Sequence, residues 1–153
     1  GSYYDKYSQD GDQGLAAIVD DALDSGELPA NLELRGYGDL MLREGNMDVK
    51  YNAYVRWRNE AWGANVAMYH LGEFYDADRV VDGVNWVIDS MTTYNASIDY
   101  RFDAFGADSR IRFGVNNLTD ERAPICDCRF GYWSDAHRDY GRSYYLDLWA
   151  RFD

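Results

Sequence analysis

The chain has 153 residues, and its 15 Lys+Arg against 27 Asp+Glu leave a net charge of −12, which sets aside a nucleic-acid partner because a phosphate backbone would be repelled. Aromatic residues make up 16% of it, and 14 Gly with only 2 Pro argue against a low-complexity or disordered tract. No apolar run approaches the roughly 18 residues that a membrane helix needs, so a helical spanning protein is excluded while one that spans with strands is not.

Residues 1–14 have neither a basic n-region nor an apolar core, so no export signal is expected there. Residues 15–25 carry Leu15, Ile18, Val19, Ala22 and Leu23 at the spacing of an amphipathic helix, with Gly26 and Pro29 as stop signals. Residues 32–42 alternate with Leu32, Leu34, Leu40 and Leu42 on even numbers. They are read as the start of one long strand whose phase is flipped by a bulge, in preference to a separate strand. From Met47 the period is two. Strands are expected over 47–57, 62–75, 90–103, 109–118 and 142–152, each with one apolar row, such as Val49, Val55 and Trp57, or Leu146, Leu148 and Phe152. Asp82-Gly83 is a type I′ turn signal inside the 76–89 connection.

Three features favour a membrane setting over a soluble sheet with one solvated face. The alternating stretches run to about ten residues, the length that crosses a bilayer at a tilt. The connections also alternate, short at 59–61 and 104–108 and long at 76–89 and 119–141, as tight periplasmic turns and long external loops do. Trp57, Trp62, Tyr100 and Phe152 lie toward strand ends like an interfacial girdle.

The stretch Phe113-Gly114-Val115-Asn116-Asn117-Leu118-Thr119-Asp120-Glu121 and the later Gly141-Arg142-Ser143-Tyr144-Tyr145, with a last strand closing on Arg151-Phe152, resemble the C-terminal end of TonB-dependent outer-membrane receptors. In that family an Asn-Leu-Thr-Asp element ends the penultimate strand and Gly-Arg opens the last one. Tyr37-Gly38-Asp39 through Asp48, and Ser90-Met91-Thr92-Thr93-Tyr94-Asn95, are similar to strand-opening segments of the same family. The resemblance spans roughly residues 32–152. It implies the C-terminal wall of a 22-stranded antiparallel transmembrane β-barrel, with residues 1–31 as an external segment bearing the helix and residues 32–153 as barrel strands and loops. The implied activity is active uptake of a scarce nutrient, an oligosaccharide or a metal chelate, across the outer membrane of a Gram-negative cell. The implied partners are the rest of the barrel, a plug, the TonB energy-coupling complex acting through that plug, outer-membrane lipid and a small-molecule substrate. Phe152 matches the family's terminal aromatic, although Asp153 follows it.

The motif residues have architectural readings. Asn116 and Asn117 suit hydrogen bonding where a ladder ends, Asp120 caps the following turn, Gly141 allows a positive φ, and Arg142 offers a planar donor fork to Asp120 or Asp139. Leu118 belongs to the same motif. Ligand contact is expected from the outer loops at Trp86, Arg129, Phe130, Tyr132, Trp133, His137 and Arg138, since aromatic faces among polar partners stack on sugar rings and flat chelates. No cofactor or metal site is expected: two thiols make no zinc site, and Asp10-Gly11-Asp12 lacks the other calcium-loop ligands. A Cys126–Cys128 bridge would be strained, leaving metal capture, outside partners or free thiols open. Nothing marks a catalytic nucleophile, so no enzyme is expected. The alternative function is a soluble antiparallel β-sheet ligand-binding module.

Overall fold

A computed structural model describes residues 1–10, 13–29, 38–104 and 106–152 of the chain. In chain order the elements are β1 (Ser2–Tyr3), β2 (Ser8–Gln9), α1 (Gln13–Asp24), β3 (Gly38–Asp39), β4 (Val49–Asn59), β5 (Trp62–Leu71), β6 (Phe74–Val81), β7 (Val84–Ile88), β8 (Met91–Ala104), β9 (Ala107–Asn116) and β10 (Ser143–Phe152). The protein is mostly antiparallel β with one short helix. Its main sheet has six strands in the order β1-β4-β5-β8-β9-β10, and β2-β3 and β6-β7 form two small sheets beside it. Among the described residues the main sheet is open, with β1 and β10 at its edges.

Four of the five expected long strands are found with ends displaced by one or two residues. The fifth, 62–75, is divided. β5 ends at Leu71; the Gly72 N–H still donates to the Val49 carbonyl at 2.8 Å, in register with the β4-β5 ladder, and a Cβ at Gly72 would lie 2.9 Å from that oxygen. The chain restarts at Phe74 in a separate hairpin, whose tip Asp82 (φ 50°) and Gly83 (φ 81°) have the two positive φ values of a type I′ turn. Two-residue connections also join β4 to β5, where Asn59 pairs with Trp62, and β8 to β9, where Ala104 pairs with Ala107.

Residues 30–37 lie outside the described residues, and with them most of the expected 32–42 strand. Its described remainder is not a bulged extension of β4. Gly38–Asp39 pairs instead with Ser8–Gln9, and the chain then passes through Leu42 (φ 59°), Glu44 (φ 51°) and Gly45 (φ 89°), three left-handed residues within four positions, which make turns instead of the single extra residue of a bulge. The helix begins two residues before the expected Leu15 and ends ahead of Gly26 (φ 77°).

Register decides what each face carries. On one face the cross-strand rows read Trp57-Ala64-Ile98-Phe113-Leu146 and Val55-Val66-Ala96-Val115-Tyr144. On the other they read Arg58-Gly63-Asp99-Arg112-Asp147 and Arg56-Asn65-Ser97-Gly114-Tyr145. The apolar face stays uncovered: Val55 is 74% exposed and Leu148 72%. The buried apolar cluster sits instead beyond the end of the sheet opposite the short turns, where Met47, Phe74, Ile88 and Cys126 pack with Leu71, Trp86, Cys128, Trp133 and Ala136. Loops and the β6-β7 hairpin, rather than the sheet faces, supply that core.

Candidate functional site

The loop between β9 and β10 is held at its base by the motif residues. Asn117 takes the left-handed conformation (φ 53°), where Asn pays less than most residues. Its amide donates to the Glu121 carbonyl at 2.7 Å and accepts from the Glu121 N–H at 2.9 Å, while its own N–H donates to Asn95 Oδ1 at 2.9 Å. Asn116 Nδ2 reaches Ser143 Oγ at 3.3 Å, and the Leu118 N–H donates to the Tyr94 carbonyl at 2.7 Å. Asp120 Oδ1 accepts the Arg142 backbone N–H at 2.7 Å. Gly141 sits at φ 66°, and a Cβ there would meet Asp120 Oδ1 at 3.2 Å. The planar fork expected from Arg142 to Asp139 comes instead from Arg122, whose Nε donates to Asp139 Oδ1 at 2.7 Å while Nη2 donates to Oδ2. Arg142 is the last residue of the loop and meets Asp120 through its backbone N–H, whereas Arg122 follows the Asn117 turn and reaches Asp139 with its side chain. Phe152 closes the sheet opposite Ala107 and is exposed.

The seven residues expected to contact ligand are placed in three ways. Trp86 and Trp133 pack against the loop core, and His137 is fully buried (0% exposed), stacked parallel to Phe74 with ring centres 5.8 Å apart. Trp133 meets the same Phe74 ring edge-on at 5.5 Å. These three help build the cap, His137 fully buried and Trp86 and Trp133 partly exposed. Arg138 is turned back on its own loop, donating from Nη1 to the Ser134 and His137 carbonyls. Only Arg129, Phe130 and Tyr132 form a shared outward patch, with the Arg129 guanidinium 5.3 Å from the Phe130 ring centre and the Phe130 and Tyr132 rings 6.4 Å apart. The patch rides on a small loop in which Cys126 and Cys128 are joined as a disulfide with Cα atoms 5.3 Å apart. That loop is closed by hydrogen bonds between Cys126 N and the Gly131 carbonyl and between Gly131 N and the Cys128 carbonyl. An ion pair from Arg79 to Asp127 at 3.0 Å ties it to the hairpin.

Charge shifts concentrate in this cap. The Arg122 fork and the Ala123 N–H hold the Asp139 carboxyl down at about 2, and the same contact with Asp139 raises the Arg122 guanidinium. Burial pushes the His137 imidazole below its usual value, with the Trp133 carbonyl opposing in part. Neither ring nitrogen of His137 has a hydrogen-bond partner.

A second feature was not singled out from the sequence. Arg56, Arg58, Arg101, Arg110 and Arg112 gather on the polar face near the short turns, and together with Tyr145 they line a cavity of about 350 Å³. Their phase in the alternating strands was the available signal. Among the described residues no three His, Cys, Asp or Glu side chains are grouped to hold a metal ion, and no helix is long and apolar enough to cross a membrane, which says nothing of a β-barrel.

Compared with known proteins, the chain matches no family model, no curated protein and no solved structure.

Proposed function

We propose that this chain forms part of the wall and external loops of a TonB-dependent outer-membrane transporter. The observation that carries the reading is the register. Five successive long strands keep their hydrocarbon side chains on one face and their charged ones on the other, and the hydrocarbon face is uncovered. In water such a surface would far exceed the few hundred Å² a soluble monomer usually exposes, whereas acyl chains accommodate it.

Aromatic positions support the same reading. On the apolar face the Trp62 and Tyr100 rings lie 4.7 Å apart near the short turns, and the Tyr51 and His70 rings stack at 4.6 Å toward the other end. Tyr100 and Thr92, which pairs with His70, are separated along β8 by roughly 27 Å at the ordinary strand rise, and a barrel's tilt of about 40° reduces that to a height of roughly 20 Å, a little under that of an apolar band. The capped end then faces outward, offering Arg129, Phe130 and Tyr132 to a sugar or flat chelate. The remaining wall, the plug and the energy-coupling complex are the partners that transport requires, since an open sheet leaves unpaired edge groups that lipid does not tolerate.

The test is labelling with a lipid-soluble carbene probe in reconstituted membranes. Val49, Val55, Ala96, Ile98, Leu146 and Leu148 are expected to be modified, and the protein is expected to need detergent. Free solubility, with those side chains unlabelled, instead favours a soluble binding module and ends the transporter reading.

A further inference from the structure

We infer that the polar face of the sheet holds a binding site for a solute bearing two or more oxyanion groups, carboxylate or phosphate, on Arg56, Arg58, Arg101, Arg110 and Arg112. That the occupant is the transported solute rests on the transporter reading; the chemistry of the site rests on the geometry alone.

Four observations converge. In a chain of net charge −12, five guanidinium groups share one face within three successive cross-strand rows. Arg101 and Arg110 are directly opposite each other in the β8-β9 register. Like charges facing one another across a strand pair, with Cβ atoms roughly 5 Å apart, repel unless an anion lies between them. Second, the Nε donors of both Arg110 and Arg112 are buried from solvent and have no hydrogen-bond partner. A buried donor left unmet is costly, so an acceptor belongs there.

Third, the carboxylates present do not neutralise the group. Asp99 and Asp147 share the row of Arg58 and Arg112. Asp99 is drawn toward Arg58, with Oδ2 3.9 Å from Nη2, and that same Oδ2 accepts no hydrogen bond. Asp103 and Asp108 pair one row nearer the turn, with Arg151 opposite Asp108, so the three rows hold five arginines against two carboxylates. Fourth, there is room beside the guanidinium groups. The space above Gly63 and Gly114 is taken by the Asp99 carboxylate and the Tyr145 ring, and a cavity of about 350 Å³ remains among the arginines, with a second of about 470 Å³ beside it between Arg101, Arg110, Asp103, Asp108 and Trp149. Guanidinium forks match carboxylate and phosphate oxygens in pairs. The row spacing, roughly 7 Å along the strands, suits a molecule with several such groups over a single small ion.

The experiment titrates the native protein that contains this chain, in detergent or nanodiscs, with citrate, with pyrophosphate and with neutral maltotriose by calorimetry at low and high salt. Citrate or pyrophosphate is expected to bind saturably, more weakly as salt rises, and maltotriose not to bind this face. The stronger of the two anions identifies carboxylate or phosphate as the source. Arg101→Gln with Arg110→Gln is expected to weaken that binding at least tenfold, while Lys6→Gln, on the remote N-terminal segment, leaves it unchanged. Should the Gln pair fail to fold, Arg101→Lys with Arg110→Lys keeps the charge and removes the planar fork, and a several-fold loss is expected. No binding of either anion, or binding equal in wild type and in the Lys pair, overturns the site, and so does an acidic segment of the protein already covering these arginines. Saturable citrate binding by a protein that needs no detergent retains the site and removes only the transporter.

Discussion

Arg122 grips Asp139 through two parallel N–H···O bonds across a separation of 17 residues, and the Ala123 N–H completes the cradle at 3.0 Å from Asp139 Oδ1. This clamp closes the base of the β9-β10 loop. The Asp139 pKa is depressed from an ordinary 3.8 to about 2. Its contribution is therefore fully present above pH 3.8 and is lost as pH falls through about 2. A carboxyl NMR titration is expected to show Asp139 ionising near 2 in the wild type, and Arg122→Gln is expected to return it toward 3.8. The Ala123 amide should then exchange faster, because its acceptor is no longer held in place.

Asn117 combines a left-handed backbone with three hydrogen bonds, and substitution separates these contributions. Asn117→Ala removes both amide bonds to Glu121 and adds left-handed strain, so it is expected to cost about 2–3 kcal/mol. Asn117→Gly removes the same bonds without the strain and should cost about 1 kcal/mol less. Denaturant unfolding of the two variants in one detergent checks the order, and equal costs would remove backbone conformation from the account.

Tyr145 lies directly opposite Gly114, with its ring in the space a Gly114 Cβ would fill. Gly114→Ala therefore displaces the ring and is expected to destabilise by about 1–3 kcal/mol. Tyr145→Ala opens that space, so adding Gly114→Ala to it should cost little further. A double-mutant cycle on the unfolding midpoints measures the coupling.

The long strands were legible because period two is imposed by a sheet with two unlike faces, and Val49 to Trp57 or Leu146 to Phe152 carry that period at every position except Tyr54 and Trp149. The Asp82-Gly83 hairpin was legible because those residues suit positive φ. The cap was not. Met47, Phe74, Ile88 and Cys126 come from four separate segments, and His137 looks like any loop histidine until the chain folds it onto Phe74. No local pattern marks such a core, so the packing of Trp86, Trp133 and His137 was not legible. The clamp at Asp139 was half legible: a fork was expected, but sequence distance does not decide between Arg122 and Arg142, because the Asn117 turn sets the direction in which the chain leaves β9.

If the apolar face meets lipid, substitution costs should vary with depth. Val66 shares the central row with Val55, Ala96 and Val115, whereas Tyr100 belongs to the aromatic end beside Trp62. Refolding into lipid vesicles is expected to lose about 2–4 kcal/mol for Val66→Arg and at most about 1 kcal/mol for Tyr100→Arg. Ala67→Arg, one residue on and on the opposite face, should cost less than Val66→Arg. Equal costs at Val66 and Tyr100 contradict a bilayer around this face.

His137 gives the cap a dependence on pH whose sign follows from burial. The buried ring holds its pKa below the ordinary 6.5, so at pH values just under 6.5 the unfolded chain binds a proton that the folded cap does not. Its contribution is full above that value and declines as pH falls toward the lowered folded value. Phe74, stacked against the ring, supplies no acceptor, and neither ring nitrogen meets the geometry of a hydrogen bond, the nearby Trp133 carbonyl included. A hydrocarbon of similar size is therefore no worse: His137→Leu is expected to stay within about 1 kcal/mol of wild type at pH 7.5. The measurement is amide exchange in the cap at pH 7.5 and pH 5, corrected for intrinsic rates, with the wild type loosening more than the Leu variant on acidification. The same loosening in both places the sensitivity in the carboxylates around the cap, and removes it from this ring.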